Sequence, residues 1–196
     1  MHFVHYSRPC YQKDSFKAAM KHVKKLDCAV DIGAHIGFFS IYMAEKFKEV
    51  HAFEPEPDNF ECLKLNIPPD IFVFSERGIR TVTKINLWNH GIAEKDMLGN
   101  MFNPAPHNTG AWQFSENSEG TARVMRLGAN ISPDLIKIDV QGYEKRALLG
   151  CKEVIERDNP VILVECRRGG EAAVYLESIG YEQAERTGSN MTWVHK

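Results

Sequence analysis

No stretch of the 196-residue chain approaches the roughly 20 consecutive apolar residues that a membrane-spanning helix requires, and the opening MHFVHYSRPC has no apolar core of signal-peptide length. Both absences argue for a soluble, cytoplasmic protein without a membrane partner. Charge of one sign is scarce as well. The formal net charge is −2 and neither half carries a long run of like charges, so a protein devoted to coating phosphate backbones is not favoured. The five cysteines, Cys10, Cys28, Cys62, Cys151 and Cys166, form no CxxC pair and no Cys/His cluster of zinc spacing. In apolar segments a reduced thiol packs as a small hydrophobe, which suits an intracellular chain and predicts no metal site. Repeats, linkers and low-complexity tracts are missing, and so are a G-x-G-x-x-G fingerprint and a P-loop.

What is present suits one compact α/β domain over residues 1–196, with 43% hydrophobic residues to fill its core. A lead and helix over 1–27 precede a sheet core over 28–196. DSFKAAMKHVKKL, Asp14 to Leu26, has helical spacing behind a capping residue, and its Lys21, Lys24 and Lys25 read as a solvated face. CAVDI and EVHAF read as strands, each followed by a helix: one through FFSIYMAEKF, one over PEPDNFECLKLN with Pro57 or Asp58 in its first turn. Short joins of this kind imply parallel strands and right-handed crossovers. From Ile67 to Thr83 no period is clean. TKINLWNHGI alternates as a strand does, and GNMFN, GAWQF and TARVMRL suggest an irregular or β-rich insertion around 96–127. DLIKIDV and PVILVEC are buried-strand runs, GYEKRALLGCKEVIERD is helical with an interruption at Gly150, and GEAAVYLESIG is a short helix. YEQAERT and MTWVHK close the chain as a hairpin around GSN. The sum is a doubly wound, mostly parallel sheet with an antiparallel end.

In such sheets a ligand sits beyond the carboxyl ends of the strands, which draws attention to AVDIGAHIGFFS. An acid at the end of the following strand, Glu54, lies 21 positions after Gly33 and suits the two hydroxyls of a ribose. A pyrophosphate is poorly served, because His35 stands where a dinucleotide site has glycine and Asp31 repels phosphate. S-adenosylmethionine carries no phosphate, has two cationic groups that an acid favours, and has a carboxylate that can use amides at a helix N-terminus.

The succession VDIGAHIGFFS, HAFEPEPDNFECLKLN, GIAEKD, LIKIDVQGYEKRALLG and PVILVE resembles the motifs of the FkbM-type methyltransferases over roughly Ala29 to Cys166. The resemblance implies dependence on S-adenosylmethionine, O-methylation of a sugar, glycan or natural-product-like small molecule, and seven strands in the order 3-2-1-4-5-7-6. It also implies that Asp31, Gly33, Ala34, His35 and Gly37 line the methionine and ribose side of the cofactor. Glu54 would hold the ribose, Pro55 would lie against the adenine, Gly91 and Ile92 would meet the adenine's other face, and Asp139 would sit near the sulfonium. Gln141, Leu127-Gly128 and the segment from Ile67 to Arg80 depart from the family's pattern.

Methyl transfer to an alcohol asks for positioning and for a group to take the proton. Asp139, Glu144 and Glu165 are the candidate bases, with His90 a further one that can face the same cleft. His35 contributes chiefly its backbone amide. The loop NPAPHNTGAWQFSEN, with Trp112, is expected to shape the acceptor pocket. Two other readings stay open: methylation of a nucleic-acid base or protein side chain, and a nucleoside-binding module without chemistry.

Overall fold

Unbroken apolar runs need both faces covered, and CAVDI, EVHAF, LIKI and VILVE find that cover in the interior of one sheet. The computed structural model describes residues 12–67, 74–75, 78–79 and 84–196. The chain begins with α1 (Lys13–Met20), β1 (Cys28–Ile32), α2 (Phe38–Ala44), β2 (Glu49–Phe53) and α3 (Pro57–Asn66). Eight strands follow before the next helix pair, the first six being β3 (Phe74–Ser75), β4 (Gly78–Ile79), β5 (Lys84–Trp88), β6 (Gly91–Ile92), β7 (Met97–Phe102) and β8 (Gln113–Glu116). Then come β9 (Ala122–Met125), β10 (Leu135–Ile138), α4 (Glu144–Gly150), α5 (Lys152–Asp158), β11 (Val161–Glu165) and α6 (Glu171–Ser178). The hairpin of β12 (Tyr181–Thr187) and β13 (Asn190–His195) ends the chain.

Seven strands form the main sheet in the order β5-β2-β1-β10-β11-β13-β12. The pairs β1–β2, β1–β10, β2–β5 and β10–β11 are parallel, whereas β13 runs antiparallel to both β11 and β12. Counted within this sheet alone, the strands lie third, second, first, fourth, fifth, seventh, sixth. Among the described residues six more strands stand outside it: β3 and β4 as a pair, and β6-β9-β7-β8 as a four-stranded side sheet. The expected sheet of seven strands is present, and because further strands are interleaved along the chain, three of them in the insertion foreseen around 96–127, the chain's own strand numbers differ from 3-2-1-4-5-7-6.

Side chains alternate across the main sheet. Val30, Ile32, Ile136, Ile138 and Ile162 pack on one face with Leu148, Ile155 and Leu176 of α4, α5 and α6. Ala29, Val50, Leu135 and Leu163 pack on the other with Phe16, Phe39, Met43 and Phe47. Among the described residues no helix is long and apolar enough to cross a membrane.

Several boundaries differ from the sequence reading. α1 stops at Met20 instead of Leu26: Lys21 and His22 donate to the carbonyls three residues back, and this tightening releases the chain toward β1. Leu26, expected on the apolar face, is exposed. Gln12, and not Asp14, occupies the N-cap, in the left-handed region at φ 53°. α2 ends at Ala44 in the same way, with Lys46 donating to Met43 before Phe47 returns to the core. The interruption foreseen at Gly150 is real: α4 and α5 break at Cys151, and a Cβ on Gly150 would stand 2.5 Å from the carbonyl oxygen of Ala93. Lys21 pairs with Glu185 at 2.9 Å on the solvent side, consistent with its reading as a solvated face. The segment from Ile67 to Thr83 lies outside the described residues except for Ile67 and the backbone of β3 and β4.

Candidate active site

At the carboxyl ends of β1, β2 and β10 the chain leaves the sheet three times, and the exits surround a cavity of about 140 Å³. The first exit is the turn after β1. Gly33 has φ 77°, and a Cβ there would lie 2.0 Å from the carbonyl oxygen of Asp139, so the turn can run against the end of β10 only with glycine in place. The amides of Gly33 and Ala34 both donate to Phe53 O at 3.0 Å, tying this turn to β2. His35 follows in the left-handed region at φ 53°, which aims its amide at Glu54. Gly37, at φ 95°, lies away from the cavity, where its missing Cβ makes room for Leu63 and Ile67.

Glu54, the residue after β2, is the central acid. It is 5% exposed and lines the cavity. Its Oε2 accepts from the His35 amide at 2.8 Å and its Oε1 from the Glu56 amide at 2.9 Å. Burial pushes its carboxyl up to about 7, against the pull of those two amides. Glu56, also buried, caps α3 by accepting from Asn59 N at 2.6 Å. Pro55, Gly91 and Ile92 form the adjoining wall, and Gly91 pairs with Val124 of β9.

The third exit follows β10. Asp139 lines the cavity and its Oδ1 accepts from Gln141 Nε2 at 3.0 Å. Gln141 stands at φ 49°, a strained setting for a side chain with a Cβ, and it lines the cavity in the position where an acid was expected. Glu144 accepts from the Gly142 amide at 2.7 Å, closing the start of α4. Burial raises Glu144, and the negative charge of Asp139 adds to the rise. Glu165, at the end of β11, is raised by burial and then by Asp139, with which it shares a hydrogen bond. The three carboxylates therefore gather, but among them Asp139 alone lines the cavity. His90 does not reach it: its ring packs on Phe53 at 5.2 Å and its Nδ1 lies 3.1 Å from Gly91 O. Burial lowers its pKa.

Asp31 was expected to face the cofactor. It is fully buried instead, below the turn, where Ser40 Oγ donates to it at 2.7 Å and Lys137 Nζ lies 2.9 Å from Oδ1. Its charge is thereby matched inside the protein, which removes the argument that a bare acid there draws in a cation. Lys137 itself was missed, although a lysine at the centre of LIKI, all four positions buried, is a conspicuous signal.

The far wall comes from the side sheet and the long connection after β7. Met101, Trp112, Phe114 and Tyr143 line it. Gly99 has no Cβ to collide with the Phe114 ring, which would otherwise lie 2.3 Å away. Phe114 meets Tyr143 edge to face at 5.5 Å, and the Arg146 guanidinium lies 4.8 Å from the Tyr143 ring centre. Arg146 is itself held by Glu94 through bonds of 2.9 and 3.0 Å from Nε. The connection docks through Thr109, whose Oγ1 is 3.0 Å from His35 Nε2 and whose carbonyl accepts from Asn59 Nδ2 at 3.2 Å. Burial, and then the nearby Lys137, lower the His35 pKa, which favours a neutral ring in that contact.

The model of the FkbM methyltransferase domain matches residues 31–183. The chain belongs to the FkbM methyltransferase family. Among curated proteins, the hexuronic acid methyltransferase AglP of Haloferax volcanii is 26% identical over 160 residues, 78% of this chain and 61% of that protein. The chain therefore spans somewhat under two thirds of that relative. Among solved structures, the methyltransferase FkbM of Methylobacillus flagellatus KT has a TM-score of 0.54 at 19% identity, covering 86% of this chain and 43% of the other. Precorrin 8w decarboxylase of Methanobacterium thermoautotrophicum shares the fold at TM-score 0.53 and 13% identity, over 96% of this chain and 92% of its own.

Proposed function

We propose that this methyltransferase uses S-adenosylmethionine to methylate a hydroxyl group on a sugar, glycan or natural-product-like small molecule. The observation that supports the cofactor most strongly is the buried Glu54 carboxylate, braced by two amides and lining the cavity beside the Gly33 turn. The fit is chemical: an ionised Glu54 keeps lone pairs for two ribose hydroxyls, Pro55 with Gly91 and Ile92 offers a flat apolar slot for a base, and Gly33, Ala34 and His35 present backbone close to the cavity. When bound, the cofactor supplies a methyl group already activated on a sulfonium.

The chain's own residues then have positioning and proton transfer to perform. The aromatic wall of Trp112, Phe114 and Tyr143 offers ring faces to the C–H surface of a sugar and excludes water. Asp139 stands at the cavity, held by Gln141, where it would take the proton of the acceptor hydroxyl. Glu165 and Glu144 lie close behind it, near enough to feel its charge. AglP, named for action on a hexuronic acid, supports the choice of a sugar-like acceptor.

Formation of S-adenosylhomocysteine in the presence of a panel of sugars, glycans and natural-product alcohols tests the proposal. Asp139→Ala is expected to lose about 10²-fold or more in rate with a much smaller loss of cofactor affinity, whereas Glu54→Ala loses binding. Turnover confined to nucleic acid or protein acceptors would overturn the choice of acceptor.

A further inference from the structure

A buried lysine needs a reason, because a fully buried ammonium loses several kcal/mol of hydration. Lys137 is fully enclosed, and it stands directly beside Asp31 in the sheet register. Its Nζ lies 2.9 Å from Asp31 Oδ1, donates to Gly33 O at 2.7 Å, and sits 5.5 Å from the centre of the Phe39 ring. An ammonium has three hydrogens. Among the described residues Gly33 O accepts one of them, Asp31 Oδ1 stands opposite as an ion-pair partner, and Lys137 borders the cavity at the foot of the Gly33 turn. Burial works against its charge, yet Asp31, Asp139 and Glu54 together hold the ammonium above its ordinary pKa, so it is a permanent cation.

The remainder of the cavity makes that charge matter. Glu54 and Asp139 are the acids on its lining, and among the described lining residues Lys137 is the single lysine or arginine. Those acids suit the ammonium and sulfonium of S-adenosylmethionine. The methionine carboxylate, by contrast, would be repelled by both. We infer that Lys137 binds the carboxylate of the cofactor's methionine tail, a remaining N–H completing a bridge from Asp31 and the Gly33 carbonyl to the ligand. This rests on the S-adenosylmethionine reading above and assigns one end of that ligand to one side chain. Asp31 then acts as a positioning residue, keeping Lys137 charged and aimed along the turn.

The test is a pair of ligands differing in one group: S-adenosylhomocysteine and its decarboxylated form, which keeps the ammonium. Calorimetric titration of the native chain is expected to show at least about a tenfold weaker affinity for the decarboxylated ligand, as befits loss of one charge-assisted hydrogen bond. Lys137→Gln leaves Asp31 buried and unpaired, so the double variant Lys137→Gln/Asp31→Asn removes both charges together and keeps the fold measurable by circular dichroism. In that variant the affinity gap between the two ligands is expected to collapse to within about twofold, through weaker binding of S-adenosylhomocysteine. A gap that persists in the variant, or no gap in the native chain, would overturn the inference while leaving the cofactor intact. A variant that weakens both ligands equally assigns Lys137 to holding the turn and also overturns it. If the native chain binds neither ligand, the cofactor reading itself fails. Should the double variant not fold, the two ligands against the native chain still decide, since equal affinities refute the carboxylate contact.

Discussion

Glu54 is the residue where burial and ligand chemistry pull in opposite directions. Its ordinary value of 4.5 is raised to about 7, so the folded chain keeps a proton that the unfolded chain gives up between those values. It follows that Glu54 contributes stability below pH 4.5 that is lost as pH rises through about 7. A ribose reverses the preference, because two hydroxyls donate best to the ionised form. Affinity for S-adenosylhomocysteine is therefore expected to rise as pH increases from 6 to 8, with proton release on binding, measurable by calorimetry in buffers of different ionisation enthalpy. Glu54→Gln should bind weakly at all pH values and release no proton at this step. Gly33 offers a second check on the same turn. Gly33→Ala places a methyl against the Asp139 carbonyl in a left-handed conformation, and urea unfolding is expected to show a loss of about 2–4 kcal/mol.

At the scale of elements, the long connection between β7 and β8 is organised from within. Asn103 Nδ2 donates to Asn108 O at 3.0 Å, and the Asn103 and Asn108 side chains accept from the amides of Ala105 and Gly110. It is fastened to the cofactor side through Thr109, by way of His35 and Asn59. Thr109→Val removes the hydroxyl contact and leaves the carbonyl contact in place. It is expected to speed proteolytic cleavage within 103–112 several-fold while the thermal midpoint moves by no more than a few degrees. Much of the main sheet was legible because its strands are covered on both faces, so CAVDI, LIKI and VILVE appear as apolar runs. The helix ends were not legible: Lys21 to Leu26 keep a helical period in sequence, while the chain must turn there to enter β1. The acids proposed as catalytic were picked out as residue types at strand ends. Asp31 was misplaced for a different reason, since a pair formed across neighbouring strands leaves no spacing signature, and only Lys137 within a buried run hints at it.

For the whole molecule, the proposed cofactor would touch the exits of β1, β2 and β10 together with β6. A ligand with contacts so distributed stabilises the folded state as a unit. S-adenosylhomocysteine at 100 times its dissociation constant is expected to add about 2.7 kcal/mol to unfolding, seen as a single upward-shifted thermal transition. Glu54→Ala should show no such shift at the same ligand concentration.

The side sheet has a consequence of another kind. Within it β6 pairs with β9 over only two residues, Gly91 with Val124 and Ile92 with Met125, and the side sheet with its β7–β8 connection is tied to the rest by the bond from Leu127 to Gly150, the Arg146–Glu94 pair and the Thr109 contacts with His35 and Asn59. Apart from Tyr143, the residues proposed for the acceptor wall thus fall in one continuous stretch, while those proposed for the cofactor floor are drawn from either side of it. Heredity can rewrite the one without disturbing the other. Exchange of residues 96–127 between members of the family should therefore move the choice of acceptor and leave cofactor affinity where it was.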